Sequence, residues 1–372
     1  MANSARLTID LDAIAANYRL VSHQVAPAEV AGVVKADGYG LGAEMIVKTL
    51  IKEGCRRFFV AMLAEATALR PLLPADIQLF VLNGLMPGAE AECAALGAIP
   101  VLNSLGQIAR WSALAEARSG ILPAALQVDT GMSRMGLPAE EVEALRAHPM
   151  FLRNLDLRLL MSHLACADVS DDPANNDQRR RFEAIAAQFP GLPRALDNSG
   201  GAFLDRGHLD IVRAGIALYG GAPNDKPNPM RPVVAVEAQI GQVRTIRQNV
   251  GVGYGLTFTT ARESRIATVP VGYADGWPRS LGNRGSVYIA GQRVPIVGRV
   301  SMDSMTVDVT DVPAEHIYDG APVELIGPHQ SLDRVAQDAG TISYEILTQL
   351  SRRYERVYLP ARNEALIRNI GP

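Results

Sequence analysis

From Val30 to Val212 the chain repeats one pattern, a short apolar run followed by a longer stretch whose apolar residues keep helical spacing. The runs are Val30–Val34, Phe58–Ala61, Ile77–Leu82, Ile99–Leu102, Ala124–Val128, Leu155–Met161, Arg194–Leu196 and Leu209–Val212. Between them lie segments such as Phe182, Ile185, Ala186 and Phe189, whose three- and four-residue spacing marks one face of a helix. Eight such units within about 200 residues match a (β/α)8 barrel of the TIM type better than an open doubly wound sheet, which usually carries fewer strands. An α/β barrel is the architecture expected for this part of the chain.

The pattern breaks at Gly220–Pro232, where four prolines and two glycines prevent continued helix or central strand. Beyond it the runs read as strands: Val233–Ile240, Arg265–Val269, Ser286–Ile289, Val294–Val297, Met305–Val309 and Pro322–Ile326, closed by a helix around Ile346–Arg353. The expected division is a barrel over residues 1–224 and a mostly β domain over 225–372. The opening strand, residues 6–11, could pair with either.

Bulk properties narrow the function. At 372 residues the chain is long enough for two cores, and a formal charge of −3 with dispersed signs calls for neither nucleic acid nor an anionic membrane. Cys55, Cys93 and Cys166 are far apart, without CxxC or His-rich spacing, which argues against disulfides and a metal site. The N-terminal residues lead straight into an alternating strand, and no apolar stretch reaches membrane-spanning length. The expectation is a soluble cytoplasmic protein.

Polar residues gather at or just beyond the C-terminal ends of the expected barrel strands, the face where such barrels carry active sites. Lys35 follows the first strand, Asp129 and Arg134 the fifth, His163 the sixth, Asn198 and Ser199 the seventh, and Arg213 the eighth. A lysine at the inner end of a buried strand has a lowered pKa, and its neutral amine can form a Schiff base with an aldehyde. The alternative is a lysine emerging at a sheet edge. Ser199-Gly200-Gly201 and Ala214-Gly215-Ile216 follow the last two strands, where backbone amides and a hydroxyl often bind phosphate. A phosphate site and a lysine on one rim together suggest pyridoxal phosphate. In the second domain, Gly272-Tyr273-Ala274-Asp275-Gly276 and Gly298-Arg299-Val300-Ser301-Met302-Asp303 are turns that present polar groups.

Taken in order, seven segments resemble the alanine racemases: Val33–Gly40, Val128–Gly136, Asp197–Ser199, Val212–Gly220, Gly272–Gly276, Gly298–Asp303 and Thr341–Glu345. The resemblance implies an isomerase that interconverts L- and D-alanine by two-base proton transfer at Cα, supplying D-alanine for peptidoglycan. It also implies that Lys35 holds pyridoxal phosphate and acts as the base on one face. Tyr273 is then the opposing acid/base, delivered from the other subunit of a homodimer. A free tyrosine titrates near pH ~10, so that role requires a lowered value. Arg213 matches the arginine facing the pyridine nitrogen, and His163 a residue near the ring. Tyr39, Ser199, Gly215, Ile216 and Tyr344 match phosphate-binding positions, and Asn198 belongs to the same cofactor-binding set. Arg134 matches the arginine near the cofactor's phenolic oxygen and the substrate carboxylate. Met302 and Asp303 match the partner-subunit segment at the substrate entrance.

One position departs from the family. Gln127 stands where many members carry a carbamylated lysine that holds the arginine corresponding to Arg134. An amide oxygen can accept a hydrogen bond but supplies no charge, so the expectation is a chloride or similar anion beside the pair. The alternatives are a broad-specificity amino-acid racemase and, in another class, a noncatalytic pyridoxal phosphate carrier, which would resemble the barrel alone.

Overall fold

A computed structural model describes residues 5–360, which divide into two compact units. One unit comprises Ala15–Leu218 with Ala222–Pro229; the other comprises the chain up to Ile14, Tyr219–Gly221 and the chain from Met230 onward.

The first strand, β1 (Ala5–Asp10), belongs to the second unit. It lies between β10 (Val234–Gln239), antiparallel to it, and Glu355–Leu359, parallel to it. Its residues alternate buried and half-buried, as a one-sided strand must. Asp10 then accepts the Ala13 amide at 3.0 Å and starts the helix Leu11–Val25.

Eight parallel strands form the barrel sheet: β2 (Glu29–Val33), β3 (Arg57–Val60), β4 (Gln78–Val81), β5 (Ile99–Leu102), β6 (Leu122–Gln127), β7 (Leu155–Met161), β8 (Arg194–Ala195) and β9 (Ile211–Ala214). Each pairs with the next in sequence through β8, and β9 pairs with β2. The remaining seam between β8 and β9 is stitched by the Asp210 amide on the Arg194 carbonyl (3.1 Å) and the Arg213 amide on the Asp197 carbonyl (3.0 Å). Helices cover the outside because parallel strands require crossovers. Phe59 and Phe80, both fully buried on neighbouring strands, stack with ring centroids 4.7 Å apart.

Two details correct the expected barrel. The eighth strand is shifted two residues toward the C-terminus, so Arg213 lies within β9, paired with Ala31, rather than beyond its end. The seventh is only Arg194–Ala195, one residue shorter than expected.

In the second unit, Ser286–Ile289 and Pro322–Ile326 fall where expected and share a six-stranded sheet with β10, β1, Glu355–Leu359 and Gln292–Pro295. A separate three-stranded sheet joins Gln242–Ile246, Ser264–Val269 and Met305–Asp308. The expected Ile346–Arg353 helix is instead Ser343–Gln349, and Leu350 is extended. This early stop leaves Arg353 in a turn. An additional helix, Leu332–Ala339, is capped by Ser331, which accepts the Arg334 amide at 3.1 Å, and ends at left-handed Gly340.

Candidate active site

Lys35 stands two residues past the end of β2, and the chain after it coils the wrong way. Ala36, Asp37, Gly38 and Tyr39 have φ of +53°, +54°, +62° and +55°, a single turn of left-handed helix in which only one residue is glycine. Left-handed backbone costs an ordinary L-residue about 1–2 kcal/mol, so the turn must be held from outside. Glu65 holds it: one carboxylate oxygen accepts the Ala36 amide at 2.5 Å, and the other accepts the Ala61 and Met62 amides at 2.7 and 3.0 Å. Asp37 contributes a second tie by accepting the Ala43 amide at 2.9 Å.

This coil delivers Tyr39, itself buried, against the end of β9. A Cβ added to Gly215 would collide with the Tyr39 hydroxyl, so no side chain fits there. Ser199 Oγ completes the cluster by accepting the Gly215 amide at 2.8 Å and the Ala217 amide at 3.3 Å. Ile216 opens the short 3₁₀ turn that follows. The result is a small cradle of two hydroxyls and adjacent backbone amides, suited to phosphate oxygens.

Arg213 is buried in the barrel. Its Nη2 donates to Ser162 O (2.6 Å), His163 Nδ1 (3.2 Å) and Leu196 O (3.3 Å), whereas buried Nη1 has no hydrogen-bond partner. Burial lowers the guanidinium pKa to about 10, opposed by the Asp197 carboxylate. Arg213 therefore remains a cation at neutral pH, with one donor spare. The same buried charge acts on its neighbours. Burial, then the charges of Arg213, Arg134 and Lys35, push the His163 pKa well below its ordinary value. His163 is neutral, as its contact with the Arg213 donor requires.

Lys35 is shifted in the useful direction. Burial, then Arg134 and Arg213, lower its pKa from the ordinary 10.5, and only Glu65 opposes them. A larger fraction of its amine is therefore uncharged near neutrality. Arg134 is exposed on a loop organised by Asp129, whose Oδ1 accepts the amides of Gly131, Met132 and Ser133 at 2.9, 3.0 and 3.1 Å. Gln127 is buried and donates to Met135 O at 3.2 Å, so it braces the backbone of that loop and shares no hydrogen bond with Arg134. Asn198 accepts the Gly201 amide at 3.0 Å and turns the chain into the phosphate-like cradle.

Several supporting residues were not among those expected. Gln178, on the helix Ala174–Ala186, donates to His163 O at 2.9 Å and accepts the Ala165 amide at 2.8 Å. Asp197 is buried and bonded to Arg206 and His208, both at 2.9 Å. Glu65 carried one legible signal, an acid three residues into a helix entrance. The other contacts join residues far apart in sequence and leave no local pattern.

Tyr273, Met302, Asp303 and Tyr344 belong to the second unit. Within that unit the Tyr273 and Ala274 amides donate to Ser301 O (3.0 Å) and Met302 O (2.9 Å), which fastens the two turns together. Tyr273 and Met302 are both exposed. Tyr344, on the helix Ser343–Gln349, is at the border of exposure. Among the described residues no cluster of His, Cys, Asp and Glu could hold a metal ion, and no helix is long and apolar enough to cross a membrane.

Residues 9–223 match the family description "Alanine racemase, N-terminal domain" and residues 233–358 match "Alanine racemase, C-terminal domain". The chain belongs to the alanine racemase family. It is 52% identical over 354 residues to the catabolic alanine racemase of Rhizobium johnstonii, covering 95% of this chain and 94% of that one. It is 48% identical over 368 residues to the alanine racemase of Brucella suis biovar 1, covering 95% and 93% of the two chains. The crystal structure of alanine racemase from Bartonella henselae with covalently bound pyridoxal phosphate superposes with a TM-score of 0.93 at 46% identity, over 96% of this chain and 99% of that one. Because the match spans both domains, it disfavours a carrier built on the barrel alone.

The lowered Lys35 pKa has a measurable consequence in the cofactor-free protein. The unfolded chain binds this proton more tightly than the fold does, so Lys35 weakens stability below its folded pKa and the penalty fades as pH rises toward the unfolded value of ~10.4. Cofactor-free Lys35→Met should therefore melt above the parent near neutral pH, with the gap narrowing steadily toward pH ~10 in thermal scans. A pH-independent gap would exclude a shifted lysine.

Proposed function

We propose that this chain interconverts L- and D-alanine using pyridoxal phosphate, with Lys35 and Tyr273 as the two proton-transfer groups. The observation that carries the reading is the spare Nη1 of buried Arg213, which lies in the same barrel as a depressed lysine and a phosphate-like cradle. A buried donor without a partner is costly unless a ligand supplies the acceptor. The residues present fit the cofactor: Ser199, Tyr39 and the Gly215 and Ile216 amides would hold its phosphate, and the missing side chain at 215 leaves the Tyr39 hydroxyl its place in that cradle.

Bound pyridoxal phosphate supplies an aldehyde that a lysine amine can join and a ring that delocalises the electron pair left at Cα. Lys35 would hold it, and its amine, with a lowered pKa, would move a proton on one face of Cα. Tyr273 moves the proton on the opposite face. The spare Nη1 of Arg213 would face the ring nitrogen of the cofactor, and a guanidinium there would oppose protonation of that nitrogen. Neutral His163 braces Arg213 and adds no further charge. Asn198 shapes the loop beside them. Arg134 attracts the substrate carboxylate and the phenolic oxygen, and Met302 and Asp303 line the approach. An anion such as chloride beside Gln127 would supply the charge that the amide lacks.

The family resemblance assigns Tyr273 to the partner's site, so the reading includes a homodimer in which each second domain completes the site of the other subunit. The protein is proposed to work in the cytoplasm, providing D-alanine for peptidoglycan. Free enantiomers have equal energies, so the same catalyst also serves the reverse flux.

Chiral chromatography of an amino-acid panel incubated with the cofactor-loaded enzyme should show alanine racemised in preference to the rest; broad turnover would overturn the alanine assignment. Lys35→Ala should retain no covalently fixed cofactor in intact-mass spectra after borohydride reduction. Tyr273→Phe should keep the cofactor yet lose about 10²–10⁴-fold in proton abstraction, preferentially from one enantiomer. Dilution through the dimer–monomer transition, followed by analytical ultracentrifugation, should abolish activity in step with dissociation. A fully active monomer would rule out the shared site.

A further inference from the structure

Arg353 has no place in the family resemblance drawn above, yet it joins both functional turns of the second unit. Because the preceding helix ends at Gln349, the chain turns at Ser351, whose Oγ accepts the Arg353 amide at 3.2 Å and whose own amide donates to Asp275 O at 3.1 Å. From this turn the Arg353 guanidinium reaches two carboxylates. Nε lies 3.2 Å from Asp275 Oδ1, and Nη1 lies 2.9 Å from Asp303 Oδ1.

The two carboxylates stand on different turns. Asp275 is buried, and its other oxygen accepts the Gly272 amide at 2.8 Å, so it closes the 272–276 turn around Tyr273. Asp303 follows Met302 on the turn whose carbonyls accept the Tyr273 and Ala274 amides. The space is tight as well: at Gly276, where φ is +89°, an added Cβ would collide with Gln349 O, so the turn rests directly on the segment that leads to Arg353.

We propose that Arg353 is a positioning residue for Tyr273, its planar fork holding the two turns in one register and thereby fixing where the phenol is presented. This rests on the two-sided reading of the site. The arginine is half-exposed and outside the apolar core, and exposed ion pairs add little stability, so its effect falls on aim rather than on folding. A fork with fixed donor geometry suits this task, whereas a lysine ammonium is a single point that cannot match both carboxylates in the same way. Arg353 also neutralises Asp303, an anion that would otherwise oppose the approach of an amino acid's carboxylate.

The test uses the full-length, cofactor-loaded enzyme and follows, by NMR, exchange of the Cα hydrogen for deuterium from L-alanine and from D-alanine separately. Tyr273→Phe defines which enantiomer depends on the phenol. Arg353→Gln should slow exchange of that same enantiomer about tenfold to a hundredfold and leave the other within about twofold, the scale expected when a reacting group is misplaced by roughly 1 Å. Arg353→Lys should recover part of the loss, and guanidinium ion added to Arg353→Ala should also recover part. Equal losses for both enantiomers, or no loss, would overturn the proposal even if the variant melts earlier. If Tyr273→Phe itself shows no preference, the two-sided reading fails and the clamp with it. If Tyr273→Phe is selective and Arg353→Gln is not, the clamp alone fails.

Discussion

A guanidinium inside a barrel is the constraint around which the site is arranged. Removing a cation from water costs several kcal/mol, and the interior must return that through acceptors and opposite charge. For Arg213 the return comes from two backbone carbonyls, the ring nitrogen of His163 and the nearby Asp197 carboxylate. Each of these is then constrained in turn. His163 must stay neutral in order to accept, and the Asp197 carboxylate is held in place by Arg206 and His208. Gln178 must fix the His163 carbonyl. The field of the same cation contributes to the depression of Lys35, so one buried charge both leaves a donor free and helps prepare the amine.

Backbone strain is placed with similar economy. The left-handed coil after Lys35 contains three non-glycine residues, of which only Asp37 is of a type that visits this region readily, and then as a single residue. A single carboxylate, Glu65, bridges the coil to the end of β3, and the coil in turn seats Tyr39 against Gly215. Strain of this kind persists only where the surroundings over-determine it, and here it turns the lysine and the tyrosine toward their tasks. The second unit achieves comparable precision without a left-handed coil, through amide-to-carbonyl bonds between two turns and the Arg353 fork.

How much of this was legible in the sequence follows from which forces leave local marks. Strands buried on both faces read as short apolar runs, so the barrel could be counted. Arg213 escaped that reading because a charged residue looks like a strand's end, when in fact the strand continues through it. Gln242–Ile246 was missed because most of its residues are exposed and show no alternation, and Leu332–Ala339 because eight residues give few turns of helical pattern. The rim residues were legible as polar groups after apolar runs. Their ties were not: Glu65 to Ala36, Gln178 to His163 and Arg353 to Asp303 span 29, 15 and 50 residues, and hydrogen bonds at such separations have no periodicity to read.

The proposed reaction gives the two units separate tasks. Since the two enantiomers have equal free energy, the protein can only lower barriers, and it must do so for a proton leaving either face of one carbon. A barrel presents its functional side chains from a single rim, because all eight strands point the same way. In the proposed reaction Lys35 on that rim serves one face. In the same proposal Tyr273, on a turn of the second unit, serves the opposite face, and that turn must be rigid, since a phenol free to wander would lose the alignment on which proton transfer depends. The rigidity of two short turns therefore matters to the chemistry as much as the pKa of the lysine does.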